Sequence, residues 1–390
     1  MALSNEKSKE IQEFLIYNVG DHPTDIGRLA VEKFGLSRVA VVNRLRSLMK
    51  AGILTATGNT KARRYELATI GRNKKTVQIA PDLTEDMIWQ HEVKPHLIGV
   101  SDNVLNICAH GVTEMFNNVI DHSESTTAMV FVYRNAAAIT INIKDYGVGI
   151  FNKIQKALNL SDPQHAILEL TKGKLTTDKS KHTGEGIFFT SRMFDVFAIS
   201  SGTLVFNRHR RTDDWLFESD SAPLNGTDVL MKIGTNATHT IKDIFDKYRA
   251  EIDQFGFSRT NIPLVLLKYE GEQLISRSQA KRLMAHIDQF REVFLDFKGI
   301  TSIGQAFADE VFRIYRRENP QVHIYPLGMT TDVIRMIQRV VAQNPTDDLN
   351  SYLQQALDTQ SAPSAESKPE SLPLFPNDGA SAEASSPSEK

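Results

Sequence analysis

Glu114 and Asn118 stand four residues apart in TEMFNNVIDHS, residues 113–123. On a helix that spacing lays a carboxylate over an amide on one face. A carboxylate can act as a general base, and an amide oxygen suits a hard cation. Asp121 and His122 follow on the same polar side, while Val112, Met115, Phe116, Val119 and Ile120 recur at three- and four-residue intervals. That is the pattern of an amphipathic helix. Its polar row is either a solvated face or one wall of a pocket. Two further segments set glycines beside polar groups. DYGVGI places Asp145 ahead of Gly147 and Gly149, and HTGEGIF places Thr183, Gly184 and Gly186 before an apolar helix. Each of these alone is an ordinary turn or helix start.

The elements that must position these residues follow from the rest of the chain. Its 390 residues suffice for two or three domains. The net charge of -2 gives no global attraction to nucleic acid or membrane. Cys108 is the only cysteine, which excludes a disulfide framework and a cysteine-based zinc site. MALSNEKSKE has no apolar signal-peptide core, and runs such as IPLVLL are too short to span a bilayer. A cytoplasmic protein without membrane contact is expected.

Helical spacing over Asp102 to Ser123 leads into strands TAMVFVYR and AAITINIKD. Residues 151 to 182 read as a short helix and a polar stretch. A helix from Ile187 to about Phe194 comes next, then three antiparallel strands in FAISSGTLVFNR, WLFES and GTDVLMKIG. Helices alternating with a mostly antiparallel sheet predict an α/β sandwich over residues 90–235. Residues 71 to about 88 read as a linker or a strand leading out.

With Asn118, Asp-x-Gly-x-Gly and the second glycine pair in this order, residues 95 to 235 resemble the GHKL (Bergerat) ATP-binding fold. That family joins gyrase-type ATPases, histidine kinases and anti-sigma serine kinases. The resemblance implies ATP and Mg²⁺ as cofactors. Asn118 then matches the asparagine that completes the Mg²⁺ shell. Asp145 matches the carboxylate that accepts a hydrogen bond from the adenine amino group, with Gly147 and Gly149 admitting the base. Thr227, in NGTDVLM, matches a threonine supporting that contact. Thr183, Gly184 and Gly186 open a helix whose free N–H groups hold phosphate oxygens. Lys172, Lys174, Lys179 and Lys181 fall in the loop corresponding to the ATP lid. Asp121 and His122 complete the expected nucleotide-binding set. Glu114 discriminates within the family. Sensor kinases carry a neutral residue there, whereas gyrase-type ATPases and anti-sigma kinases carry a glutamate, in the former the general base that orients a water.

Residues 1–70 read as helix, helix, turn, helix and hairpin, with Thr24 and Ser37 as helix caps and Gly35 and Gly52 as stops. The order resembles a winged helix-turn-helix. Eleven Lys and Arg oppose seven Asp and Glu here, a local net of +4. Arg38, Asn43, Arg44 and Arg46 on the third helix, with Lys61, Arg63 and Arg64 on the hairpin, are the expected DNA contacts.

Residues 240–345 read as a small α/β layer, with strands in NIPLVLLK, VFLDF and HIYPLG and helices in SRSQAKRLMAHIDQF and GQAFADEVFRIYRREN. LDFKGITSIGQAFADEVF resembles the core of STAS domains, with Ala306 where their phosphorylated serine stands. This implies a protein partner but no acceptor in cis. Residues 358–390, rich in Ser, Pro, Ala and Glu, are expected to be a disordered tail. Their SLPLF island resembles peptides that bind sliding clamps.

The whole reads as a multidomain α/β protein, an Mg-ATP-dependent ATPase coupled to DNA binding or transcription control. An anti-sigma-type serine/threonine kinase acting on a separate partner is the alternative, and a nucleotide switch without turnover is the third reading. GHKL relatives often dimerise, so a homodimer is a possible arrangement, although the sequence has no heptad seam.

Overall fold

The computed structural model describes residues 5–59, 62–175, 184–210, 215–218, 222–248, 257–267, 272–341 and 348–361. The first three helices are α1 (Asn5–Asn18), α2 (Ile26–Phe34) and α3 (Arg38–Lys50). Gly35, at φ 63°, ends α2, and the Ser37 hydroxyl accepts a hydrogen bond from the Ala40 N–H to start α3. Thr24 does not cap α2; Asp25 stands at that position and makes no side-chain cap bond. An antiparallel hairpin follows, β1 (Leu54–Thr57) with β2 (Arg64–Leu67). Ile11, Leu15, Ile26, Ala30, Val41 and Leu45 form a buried core of their own.

The middle of the chain is organised by a seven-stranded antiparallel sheet. Its strands are β3 (Gly71–Gln78), β4 (Thr127–Arg134), β5 (Ala138–Asp145), β6 (Val196–Gly202), β7 (Leu204–His209), β8 (Trp215–Glu218) and β9 (Leu224–Gly234). The order is β3-β4-β5-β9-β6-β7-β8. Of the two readings for the stretch after residue 70, the strand holds for Gly71–Gln78, the edge strand β3, paired with β4 over its whole length. Its lysines and arginine suit an exposed edge. FAISSGTLVFNR is two strands, not one. Ser201 pairs with Leu204, and Gly202 takes φ 61° in the two-residue turn between them.

Strands β4 and β5 alternate buried and half-buried residues, so one face meets the core. On it lie α5 (Asp102–His122), with the short α4 (Glu85–Ile88) packed on it, α6 (Ile150–Ala157) and α8 (Gly186–Met193), while α7 (Gln164–Lys172) packs on α6, α8 and the strand Arg259–Pro263. Helix α5 buries Val112, Met115, Phe116 and Val119, as its spacing requires. A second helix, α7, stands where only one short helix was expected ahead of the polar stretch, and every residue from His165 to Lys172 is buried.

The third region is a parallel sheet in the order β10-β11-β12, from β10 (Arg259–Pro263), β11 (Glu292–Asp296) and β12 (His323–Leu327). NIPLVLLK is only partly strand; from Leu264 to Leu267 it turns into a 3₁₀ segment. Helix α9 (Ile241–Lys247) precedes this sheet, and α10 (Arg277–Met284) joins β10 to β11. Ser276 and Gln279 form a full capping box at the start of α10. Helical residues 305–318, α11 (Gln305–Asp309) and α12 (Arg316–Glu318) with a π segment between, join β11 to β12. Helix α13 (Thr331–Val341) and helix α14 (Asp348–Ser361) follow. Residues 358–361, expected to open a disordered tail, are the end of α14. Leu353 is fully buried and the Tyr352 hydroxyl donates to the Pro326 carbonyl. Residues 362–390, including SLPLF, lie outside the described residues.

The middle and C-terminal regions share one continuous apolar core. Gly111 marks its tightest contact in α5, since a Cβ there would stand 2.5 Å from the Phe194 ring and 3.0 Å from the Met231 sulfur. Gly111→Ala is expected to lower stability by about 1–3 kcal/mol, the usual cost of overpacking, read by chemical denaturation.

Candidate functional site

The four elements singled out by their residue types border one cavity of about 310 Å³. Helix α5 contributes Glu114, Asn118 and His122. The end of β5 and the turn into α6 contribute Asp145 and Gly149. Gly184 and Gly186 come from the start of α8, and Thr227 from β9. Ile143, Ile199 and Val229 give the floor an apolar surface.

Asp145 is the most constrained polar group. It is 4% exposed. Its Oδ1 accepts hydrogen bonds from the Gly147 N–H at 2.9 Å and the Thr227 N–H at 3.2 Å. The Thr227 side chain also bonds the carboxyl, and its hydroxyl accepts from the Ile150 N–H at 3.0 Å. Burial pushes the Asp145 pKa above the usual carboxylate value, and the bonds from Gly147 and Thr227 oppose that only in part.

Glycines are required around this carboxyl by space as well as by dihedral angle. A Cβ on Gly147 would stand 1.8 Å from the Ser123 carbonyl oxygen at the end of α5. Gly226, at φ 82°, leaves only 2.3 Å between a Cβ and the Asp145 carbonyl oxygen. These contacts weld the β5–α6 turn to α5 and β9. At the other end of the cavity, a Cβ on Gly186 would lie 2.1 Å from Glu114 Oε2. The first turn of α8 therefore rests directly on the Glu114 carboxylate.

Several expected residues stand elsewhere. Lys172 does not reach the cavity. It is 1% exposed, and its amine is bonded to Glu169 and to main-chain carbonyls of the C-terminal region. It looked like a loop cation because its partner Glu169 made the segment read as solvated. Asp121 is exposed on α5 and does not border the cavity. Thr183, Lys179, Lys181 and Lys61 lie outside the described residues. On α3, Arg38, Asn43 and Arg46 are exposed, whereas Arg44 is half-buried and donates to the Ser8 hydroxyl at 3.0 Å. Arg64 pairs with Glu66 at 2.9 Å, and Arg63 stacks on Tyr65.

Two cavity residues escaped the sequence reading. Asn117 lies on the wall beside Asn118, although its helical position seemed to turn it away. Lys153 of α6 also lines the cavity and donates to the His122 carbonyl at 2.7 Å. One signal was available for it, since Lys153 is the fourth residue after Gly149.

Replacing the charge at Asp145 has a defined pH signature. A proton held more tightly by the folded chain adds stability that is complete below the unfolded carboxylate pKa. It is lost as pH rises through the raised folded value. Asp145→Asn keeps an oxygen for Gly147 and Thr227 and carries no buried charge. Its melting temperature is expected to exceed that of the parent at neutral pH, with the gap closing under acidic conditions.

A family model described as a STAS-like domain of unknown function (DUF4325) matches residues 279–333. None of the curated proteins matches the chain. Among the described residues no helix is long and apolar enough to cross a membrane, and no group of three or more His, Cys, Asp and Glu is placed to hold a metal ion. The chain is a mixed α/β protein with a large antiparallel sheet and a small C-terminal STAS-like region spanning α10 to α13.

Proposed function

We propose that the protein is a Mg-ATP-dependent ATPase of the GHKL type whose nucleotide state is coupled to DNA binding. The observation that carries this reading is the convergence of Glu114, Asn118, Asp145, Gly149, Gly184, Gly186 and Thr227 on one cavity. Sites for small ligands are apolar hollows with a few convergent polar groups, and this cavity falls within their usual range of about 300–1,000 Å³.

The donor set fits a bound nucleotide. Asp145 is a buried acceptor at the apolar end, with Gly149 and Gly226 leaving room for no side chain beside it. It would accept from an exocyclic amino group. Gly184 and Gly186 would offer backbone N–H groups to phosphate oxygens. Asn118 would give its amide oxygen to Mg²⁺, the remaining ligands being phosphate and water. Bound Mg²⁺ supplies charge neutralisation at the phosphates. Glu114, resting against the start of α8, would take the proton of an attacking water.

The N-terminal unit supports the DNA part as a winged helix-turn-helix. Arg38, Asn43 and Arg46 lie on the exposed side of α3 and suit a major groove. Coupling has a direct route. Ala136 and Ala137, in the β4–β5 turn, pack against the N-terminal core, and the Tyr17 hydroxyl bonds that of Thr235 just past β9. Strands β5 and β9 run from there to Asp145 and Thr227. Phosphorylation of the chain's own STAS-like region has no support, since Ala306 stands at the acceptor position. A kinase acting on a separate partner would transfer label from ATP to protein, whereas an ATPase releases free phosphate.

Asn118→Ala is expected to abolish Mg²⁺-dependent ATP binding in calorimetric titration, while Glu114→Ala retains binding and loses turnover by about 10²-fold or more, the usual range for a general base. Unchanged ATP binding in both Asn118→Ala and Asp145→Ala sinks the nucleotide reading. For DNA, Arg38→Ala and Arg46→Ala should each reduce the salt slope of binding by about one. Equal slopes would remove α3 from the interface.

A further inference from the structure

The STAS-like region is joined to the cavity wall by a buried ion cluster that the proposed chemistry does not use. The Lys172 ammonium has three N–H groups and meets three acceptors. They are Glu169 Oε1 at 2.6 Å, the Ala285 carbonyl at 2.8 Å and the Arg282 carbonyl at 3.1 Å. The two carbonyls end helix α10, where a cation is favoured. The second Glu169 oxygen lies 3.0 Å from His286 Nδ1. One residue beyond α7 and its closing glycine, Lys174 donates to the Gln289 carbonyl at 3.0 Å and stands over the Phe290 ring. On the other side the Thr260 hydroxyl of β10 donates to the Lys172 carbonyl at 2.6 Å.

The same short stretch makes the cavity. Leu170 of α7 and Leu175 just after it both line it, and Gly184 packs against the Leu175 backbone. Helix α7 thus has its cation and carboxylate locked into the STAS-like region and its apolar side facing the ligand space. Taking one partner from a buried ion cluster leaves an uncompensated charge, so the contact is either made or broken rather than gradually loosened.

We infer that the STAS-like region serves in cis as the support of the nucleotide cavity, with Lys172, Glu169 and His286 as the positioning residues that lock α7 to it. Ligand in the cavity and the docking of α10 are then energetically linked, and the linkage is reciprocal. Whatever loosens α10 weakens the nucleotide, and the nucleotide tightens α10. This gives the matched region an intramolecular role that needs no phosphorylated serine. It rests on the nucleotide reading of the cavity.

The test uses the full chain and a non-hydrolysable ATP analogue with Mg²⁺. His286 is half exposed and holds φ 58°, which glycine accepts and asparagine tolerates. His286→Gly removes the imidazole contact with Glu169 without backbone strain, and His286→Asn returns a donor. Amide hydrogen exchange is followed over residues 277–290, alongside analogue affinity. In the parent, the analogue is expected to slow exchange there by about fivefold or more, the lower end of usual coupling. His286→Gly should lose most of that protection and bind the analogue more weakly, with His286→Asn recovering both. Lys172→Met, where it folds, should lose the protection entirely. Should it not fold, the His286 pair decides. A mere structural contact would leave exchange at 277–290 indifferent to ligand. Parent protein that binds the analogue without slowing 277–290, or His286→Gly with parental affinity and protection, overturns the inference alone. Parent protein that binds no analogue overturns the nucleotide reading and this inference with it.

Discussion

Burial of the Asp145 carboxylate is a cost that the surrounding chain must hold in place. The carboxyl ends a strand whose inward residues, Ile139, Ile141 and Ile143, are fully or almost fully buried. A group so placed shifts toward its neutral form unless donors compensate, and the donors here are backbone N–H groups of Gly147 and Thr227. Those two N–H groups come from different elements, the β5–α6 turn and β9. Holding both on one oxygen fixes the turn, the strand and the start of α6 relative to one another. The close approaches at Gly147 and Gly226 follow from that convergence, because no side chain fits where three backbones meet. A fold that only needed stability would place a neutral or apolar residue there. A buried carboxyl on the wall of a cavity, its pKa raised by burial, is the kind of group that marks a candidate site.

The sheet transmits that constraint in both directions. Strand β5 has eight residues, roughly 25 Å of extended chain. One end carries Asp145, and the other begins beside the turn that packs under the N-terminal core. Strand β9 pairs with it from Asp228 to Gly234, so the two move as one ladder. Register in such a ladder cannot slip without turning every buried side chain outward. Strands β5 and β9 thus connect the cavity to the turn under the N-terminal core through one ladder of fixed register.

Legibility in the sequence followed burial geometry. Helix α5 was readable because one face is apolar and the other polar, and its spacing put Glu114 and Asn118 on the same wall. The boundaries of α2 and α3 were readable from Gly35 and Ser37, whose conformation and hydroxyl bond do what their types suggest. Helix α7 was not. It is a short helix buried on all sides, and its charged pair reads as solvated unless each is known to meet the other. Strand β3 was legible only as one of two readings, since an exposed edge keeps few apolar residues. Asn117 lines the cavity although its position suggested otherwise, because a wide pocket takes in more of a helix face than a single i, i+4 row.

In the STAS-like region the loop after β11 is closed by packing. The Gly304 N–H donates to the Leu274 carbonyl at 2.8 Å, and Leu274 forms a parallel bridge with Ile303. A Cβ on Gly304 would stand 2.7 Å from the Ile275 Cα. The segment leading into α10 thus lies across the start of α11, where an acceptor serine would need open access. Any side chain at 304 would push that segment away and with it the N-terminal end of α10. The C-terminal end of the same helix holds Lys172. The segment entering α10 packs on Gly304 and the carbonyls ending it accept from Lys172, so one helix touches both the loop after β11 and α7.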